Sequence, residues 1–256
     1  MKAVGRIEQK LSSGLIVRQD IRDCVRFVMF ETGYTGWEYA TEGGTAFIIR
    51  FSSRYFVLTC EHVRGTFHWK QLALTTTKFG TSIAGVETVA RAHGTDFSAE
   101  TDISDMAVLE LQADMPLVTF DDTAYLLDDG TWCTSGRGDE LMICGAHKAQ
   151  SVIDGENGTI IPSFHVLMAN DVGGHATDPT LRSAAARTAA PVRGGITGLS
   201  GAPVFNLTQR KLAGVMSRGG VVGCDVSIHY IEIKHYIRML EALVQGVDEV
   251  RYPISN

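Results

Sequence analysis

Short apolar runs separated by turn residues recur along most of the 256-residue chain, and their density restricts its fold more than any other feature. Thr45–Ile49 is one such run, and Tyr55–Thr59 is the next, after Ser52-Ser53. Met106–Leu111, Leu141–Cys144, Phe164–Met168 and Leu212–Met216 follow. Strands at this spacing, with Gly, Ser and Asp between them, predict an all-β barrel or sandwich. An α/β fold would need amphipathic helices between the strands, and the sequence offers none there. One helix is predicted at the end, in IEIKHYIRMLEALVQG, where Ile233, Ile237, Leu240 and Val244 recur at helical spacing and Gly246 supplies a stop. The region before residue 36 carries no secure pattern. The 173–197 segment, GGHATDPTLRSAAARTAAPVRGGIT, reads as a long connection of small residues.

Composition narrows the partners. Hydrophobic residues make up 45% and charged residues 20%, an ordinary globular balance, and the formal net charge of −6 gives no general attraction for nucleic acid or an anionic membrane. The longest apolar stretch near the N-terminus is Leu15-Ile16-Val17, too short for the core of a secretory signal. Five cysteines (Cys24, Cys60, Cys133, Cys144 and Cys224) show no metal-ligand spacing, and free, mostly buried thiols in a cytoplasmic setting are expected. No cofactor and no metal is expected.

The stretch ITGLSGAPVF places Ser200 between glycines. Such a segment is either a structural turn or a nucleophile's turn. A hydroxyl nucleophile needs a base, and the base needs a group that fixes its tautomer. VLTCEHV ends a β-like run with His62, and SDMAVLEL opens another with Asp105. Asp102 competes for the third role, but Asp105 directly precedes the apolar run. GLSGA nearly matches the nucleophile elbow of α/β-hydrolases, but the last glycine is missing and the histidine precedes the serine, the reverse of their order.

In this order the blocks resemble a trypsin-like (chymotrypsin-fold) serine peptidase. GGTAFIIRFSSRYFVLTCEHV is similar to the strands leading to the catalytic histidine, SDMAVLEL to the aspartate stretch, and TGLSGAP to the nucleophile stretch. LAGVMSRGG resembles the strand that pairs with substrate. The resemblance implies two six-stranded antiparallel β-barrels with a C-terminal α-helix. Residues 1–118 would carry His62 and Asp105, and residues 119–256 would carry Ser200 and the helix. It implies a serine endopeptidase acting through an acyl-enzyme. Ser200 would be the nucleophile, His62 the general base and Asp105 its orienting acid. The N–H groups of Gly198 and Ser200 would form the oxyanion hole. Ser217, Arg218 and Gly219 would bind substrate as an added strand.

The same resemblance places the base of the specificity pocket at Gly194, where no acid stands, so preference for Lys or Arg is not expected. Arg193 and His229 suggest an acidic or amide side chain instead. Leu199 stands where many members carry the Asp that pairs with a new N-terminus, so any regulation would use another device. Val63 replaces a disulfide-forming Cys, and Glu61 stands where Ala is common. The expected partners are a protein or peptide substrate and an activating protein that orders the 173–197 segment. The competing reading is a catalytically silent fold acting as a protein-binding module, against which the intact His62, Asp105 and Ser200 argue.

Overall fold

The computed structural model describes residues 6–10, 16–34, 37–75, 83–85, 88–95, 102–111, 123–154, 159–189, 195–247 and 249–251. Gly194 and Arg193 lie outside them.

Six principal strands build the first half: β1 (Val25–Tyr34), β2 (Thr45–Phe51), β3 (Arg54–Cys60), β4 (Leu72–Thr75), β5 (Thr88–Thr95) and β6 (Met106–Leu111). They pair antiparallel in the order β5-β6-β3-β2-β1-β4 within a ten-stranded sheet. β1 fell in the region the sequence left unassigned. It pairs with β2 through Val25–Phe27 and with β4 through Val28–Phe30, handing the ladder from one neighbour to the other. Short strands at 37–40, 83–85, 125–126 and 249–251 complete this sheet. Its pairing path is open among the described residues, in keeping with the first of two barrel-like halves.

The second half is a closed barrel. Its strands are β7 (Glu140–Ala146), β8 (Phe164–Gly174), β9 (Leu181–Arg187), β10 (Pro203–Asn206), β11 (Lys211–Val222) and β12 (Asp225–Glu232). The pairing runs β7-β8-β9-β12-β11-β10 and returns to β7. β9 corrects the reading of 173–197 as one long connection. The run LRSAAAR forms seven consecutive pairs with β12 although alanine is a poor strand former. Leu181 and Ala184 are buried, and small side chains are what a closed interior accommodates on this strand.

One apolar cluster joins the halves. Phe47, Phe56, Leu58 and Val108 of the first pack with Phe205, Val215 and Ile231 of the second. Burying each such side chain contributes about 1.5–3 kcal/mol. Helix α1 (Ile233–Val244) covers the same cluster. Its inward face is Ile233, Tyr236, Met239, Leu240 and Leu243, rotated from the predicted stripe; Val244 is exposed. Tyr236 sets the rotation, its hydroxyl donating to Thr59 O at 3.0 Å. Gly246 ends the helix as expected. It adopts φ +77°, its N–H donates to Leu243 O, and Val247 N–H donates to Ala242 O. Four cysteines are buried, Cys224 is partly so, and all five are free. No helix among the described residues is long and apolar enough to cross a membrane.

Candidate active site

Strand ends bring His62, Asp105 and Ser200 to the seam between the halves. β3 ends at Cys60 and passes into a tight helical turn, Glu61–Arg64, that carries His62. β6 lies beside β3 and pairs Met106 with Cys60, so Asp105, one residue earlier, arrives next to His62. The contact is double. The backbone N–H of His62 donates to Asp105 Oδ1 at 3.0 Å, and His62 Nδ1 lies 2.7 and 2.8 Å from the two carboxylate oxygens. The ring nitrogen facing a carboxylate carries the proton, which leaves Nε2 with the lone pair a general base needs. The hydrogen bond to Asp105 raises the His62 pKa above its ordinary value; burial opposes the rise, and the charges of Asp105 and Asp102 add to it. Glu61 plays no part in this. Its carboxylate accepts from Arg64 Nε at 2.6 Å and from Trp69 Nε1 at 3.1 Å.

Ser200 comes from the turn before β10. Two glycines there have conformations a side chain would oppose. Gly198 has φ +100°, and a Cβ on it would stand 2.7 Å from Ala146 O. Gly201 has φ +83°, and a Cβ on it would run into Thr45 O. The neighbouring N–H groups are spent within the turn: Leu199 N–H donates to Ile196 O and Gly201 N–H to Met216 O. Those of Gly198 and Ser200 have no acceptor among the described residues. Two unspent donors beside a hydroxyl are what an oxyanion hole consists of. The Ser200 hydroxyl has no hydrogen-bond partner among the described residues, and it shares the lining of one cleft, about 510 Å³, with His62 and Gly198.

Thr45 fastens this turn to the first half, and sequence reading missed it. Its N–H donates to Ser200 O at 2.8 Å, and its hydroxyl donates to Gly198 O at 2.7 Å while accepting from Ala146 N–H at 2.8 Å. A threonine opening an otherwise apolar strand was the available signal. Leu199 is buried beside Gly145 and Ala202, so apolar packing occupies the position expected of an acid in related sequences.

The substrate-binding candidates divide. Ser217, Arg218 and Gly219 line the cleft on β11, next to apolar walls from Ile196, Met216 and Val221. Pairing of β11 with β10 stops at Val215, so beyond it that edge of β11 carries no strand among the described residues. Ser217 is buried, and its hydroxyl reaches Asp102 Oδ2 at 2.7 Å and Asp105 Oδ2 at 3.0 Å. Its side chain faces the acids, which leaves its backbone on the cleft edge of β11. His229 pairs with Arg218 across the ladder but is not among the cleft-lining residues. Its ring packs edge-on against His175 with centroids 4.8 Å apart, and Nδ1 lies 3.1 Å from Ser183 Oγ.

Cys60, His62 and Asp105 are the one group among the described residues with metal-ligand proximity, their donor atoms lying within 4.8 Å of one another. Burial pushes the Cys60 thiol well above its ordinary range, and its Sγ donates to Met216 O at 3.2 Å. A protonated thiol beside an imidazole already paired to its acid suits a proton relay better than metal capture.

No family model and no curated protein matches the chain by sequence. Solved structures do. A scabies mite inactivated protease paralogue, S-I1, is 15% identical, with 89% of this chain and 97% of that one covered at a TM-score of 0.57. Human heparin binding protein is 12% identical, with 90% and 94% covered at 0.58. Neuropsin, a serine protease expressed in the limbic system of mouse brain, is 12% identical, with 87% and 95% covered at 0.58. Taken with the closed second barrel, the sheet beside it and the terminal helix, these likenesses give the chain the chymotrypsin-type fold of the trypsin-like serine proteases.

Proposed function

We propose that the chain is a serine endopeptidase in which Ser200 attacks a peptide carbonyl, His62 takes its proton and Asp105 steadies the resulting cation. One observation carries the reading: the unspent N–H groups of Gly198 and Ser200 flank a hydroxyl in the cleft that also holds the Asp105-paired His62. Developing oxyanion charge there meets donors already in place, each worth roughly 3–4 kcal/mol. The proton then passes from His62 to the leaving amine, and water repeats the cycle on the acyl-enzyme. An extended peptide would lie along the unpaired edge of β11 as an added strand.

Ile196, Met216 and Val221 favour an apolar side chain at the cleavage position, rather than the acidic or amide group expected from Arg193 and His229. The free cysteines support an intracellular setting. A fluorophosphonate probe tests the reading. It should label the wild type and fail on Ser200→Ala, and peptides with Leu, Met or Phe before the scissile bond should be cut fastest. Absence of labelling and of cleavage from a folded wild type would leave the binding-module reading in its place.

A further inference from the structure

Asp102 does not touch His62, yet it is connected to the relay from two sides. Ser217 has one hydroxyl proton and two carboxylate acceptors, Asp102 Oδ2 at 2.7 Å and Asp105 Oδ2 at 3.0 Å. Opposite, Arg218 Nη1 stands 3.4 Å from Asp102 Oδ1, with the arginine side chain half exposed and the aspartate 17% exposed. The Asp102 backbone N–H is fixed by Asp178 Oδ2 at 2.7 Å, and Asp178 is buried. The acid is therefore held in place, while its counter-charge lies on the cleft lining.

We propose that Asp102 is a positioning acid for His62: through the shared Ser217 hydroxyl and through space it favours the imidazolium, and Arg218 offsets it from the cleft. This rests on the peptidase reading of the same site. The Ser217 proton satisfies one carboxylate at a time, so a fully charged Asp102 competes for it and leaves Asp105 Oδ2 to His62 alone. A charge so little exposed is weakly screened, and its partner decides how much of it His62 experiences. The other charged or titratable groups facing His62 do not provide this control. Glu61 and Arg64 on its own turn are paired with each other. Cys60 behind it is held protonated by burial. Asp105 is its direct partner. Asp178 and His229 lie behind Asp102: Asp178 holds its backbone N–H, and His229 is paired with Ser183.

The test is a pair of substitutions with opposite signs. Asp102→Asn should move the His62 imidazole titration, followed by NMR in a Ser200→Ala background, to lower pH. Arg218→Gln should move it to higher pH. In the active protein the acidic limb of kcat/KM should move the same two ways, and Asp102→Asn should lower plateau kcat roughly three- to ten-fold with KM little changed. Equal or absent shifts in the two variants would overturn the proposal. Should Asp102→Asn not fold, Arg218→Gln decides alone: a rise supports the coupling and no shift ends it. The NMR readout needs no turnover. Loss of fluorophosphonate labelling in the wild type would therefore defeat the peptidase reading separately.

Discussion

The two halves of the molecule solve the same burial problem with different chemistry. The first packs bulky side chains such as Phe47, Ile48 and Phe56 into a sheet whose pairing path stays open, and the second half and α1 seal it. Its chief ion pair, Arg54 with Glu110, joins neighbouring strands β3 and β6, and the arginine is partly exposed. The second half closes on its own ladder and holds acids inside. Asp171 is 2% exposed and accepts from Arg182, from the Tyr230 hydroxyl at 2.6 Å and from Gly173 N–H at 2.8 Å. Asn206, also fully buried, donates to Ser135 and Asp139. A ring of strands satisfies its backbone without an edge and takes in small residues and a fully bonded carboxylate, whereas the open half relies more on apolar bulk and buries one guanidinium, Arg26, which donates to the carbonyls of Asp23 and Val25 and to Thr123. On the peptidase reading proposed above, the site would draw its base and acid, His62 and Asp105, from the first half and its nucleophile and oxyanion donors, Ser200 and Gly198, from the second.

The largest effect tests whether those contributions form one device. Ser200→Ala and His62→Ala should each lower kcat by about 10⁵–10⁶-fold, and the double variant should lose little more, because groups acting as a unit are not additive. Steady-state kinetics on a peptide with an apolar cleavage residue measures this. Losses that multiply would mean the halves act independently, and the seam would then be a coincidence of packing.

Next in size is the contrast between the ion pairs. Asp171→Ala strands a largely covered guanidinium, 16% exposed, and a fully buried phenol, and should cost about 3–5 kcal/mol. Glu110→Ala leaves Arg54 able to reach water and should cost about 1 kcal/mol. Urea denaturation of both variants reads the difference. Equal costs would break the distinction between a polar interior and an apolar one.

The same contrast explains what could be read before folding. In the first half, Thr45–Ile49 and Tyr55–Thr59 advertise strands through β-branched and aromatic residues; His62 sits just past the end of the second run, and Asp105 just before Met106–Leu111 begins. Gly198 and Gly201 were legible because only glycine fits their conformations. Much of the second half was hidden. LRSAAAR carries no strand propensity, and its place in the barrel comes from β12 and the Asp171–Arg182 bond, both long-range. Thr45 was missed, and Asp102 was weighed only as a rival to Asp105, for a related reason. Each acts on a residue more than a hundred positions away, Thr45 on Gly198 and Asp102 on Ser217, and a polar residue at a strand end marks a position without naming so distant a partner.

The smallest effect is electrostatic, and it has opposite directions in the two halves. His62 is raised by its bond to Asp105. The stability it contributes is complete below its unfolded value, about 6.5, and disappears as pH rises through the folded value. Asp139 is lowered by the Gly136 N–H, and Asn206 and Gln209 reinforce the shift against burial. Its contribution is complete above its unfolded value, about 3.9, and disappears as pH falls through the folded one. Both groups reach solvent, so melting temperatures should move only slightly. Wild type against His62→Gln should show a gap that narrows from acid to alkaline pH, and wild type against Asp139→Asn a gap that narrows on acidification. Catalysis runs against the first of these trends, since the base works only when neutral and kcat/KM should climb through the pH range where the Asp105 pair loses its grip. A melting gap for His62→Gln that stays constant with pH would show that the pair orients the ring without stabilising its charge. The link between the apolar half and the chemistry would then be steric alone.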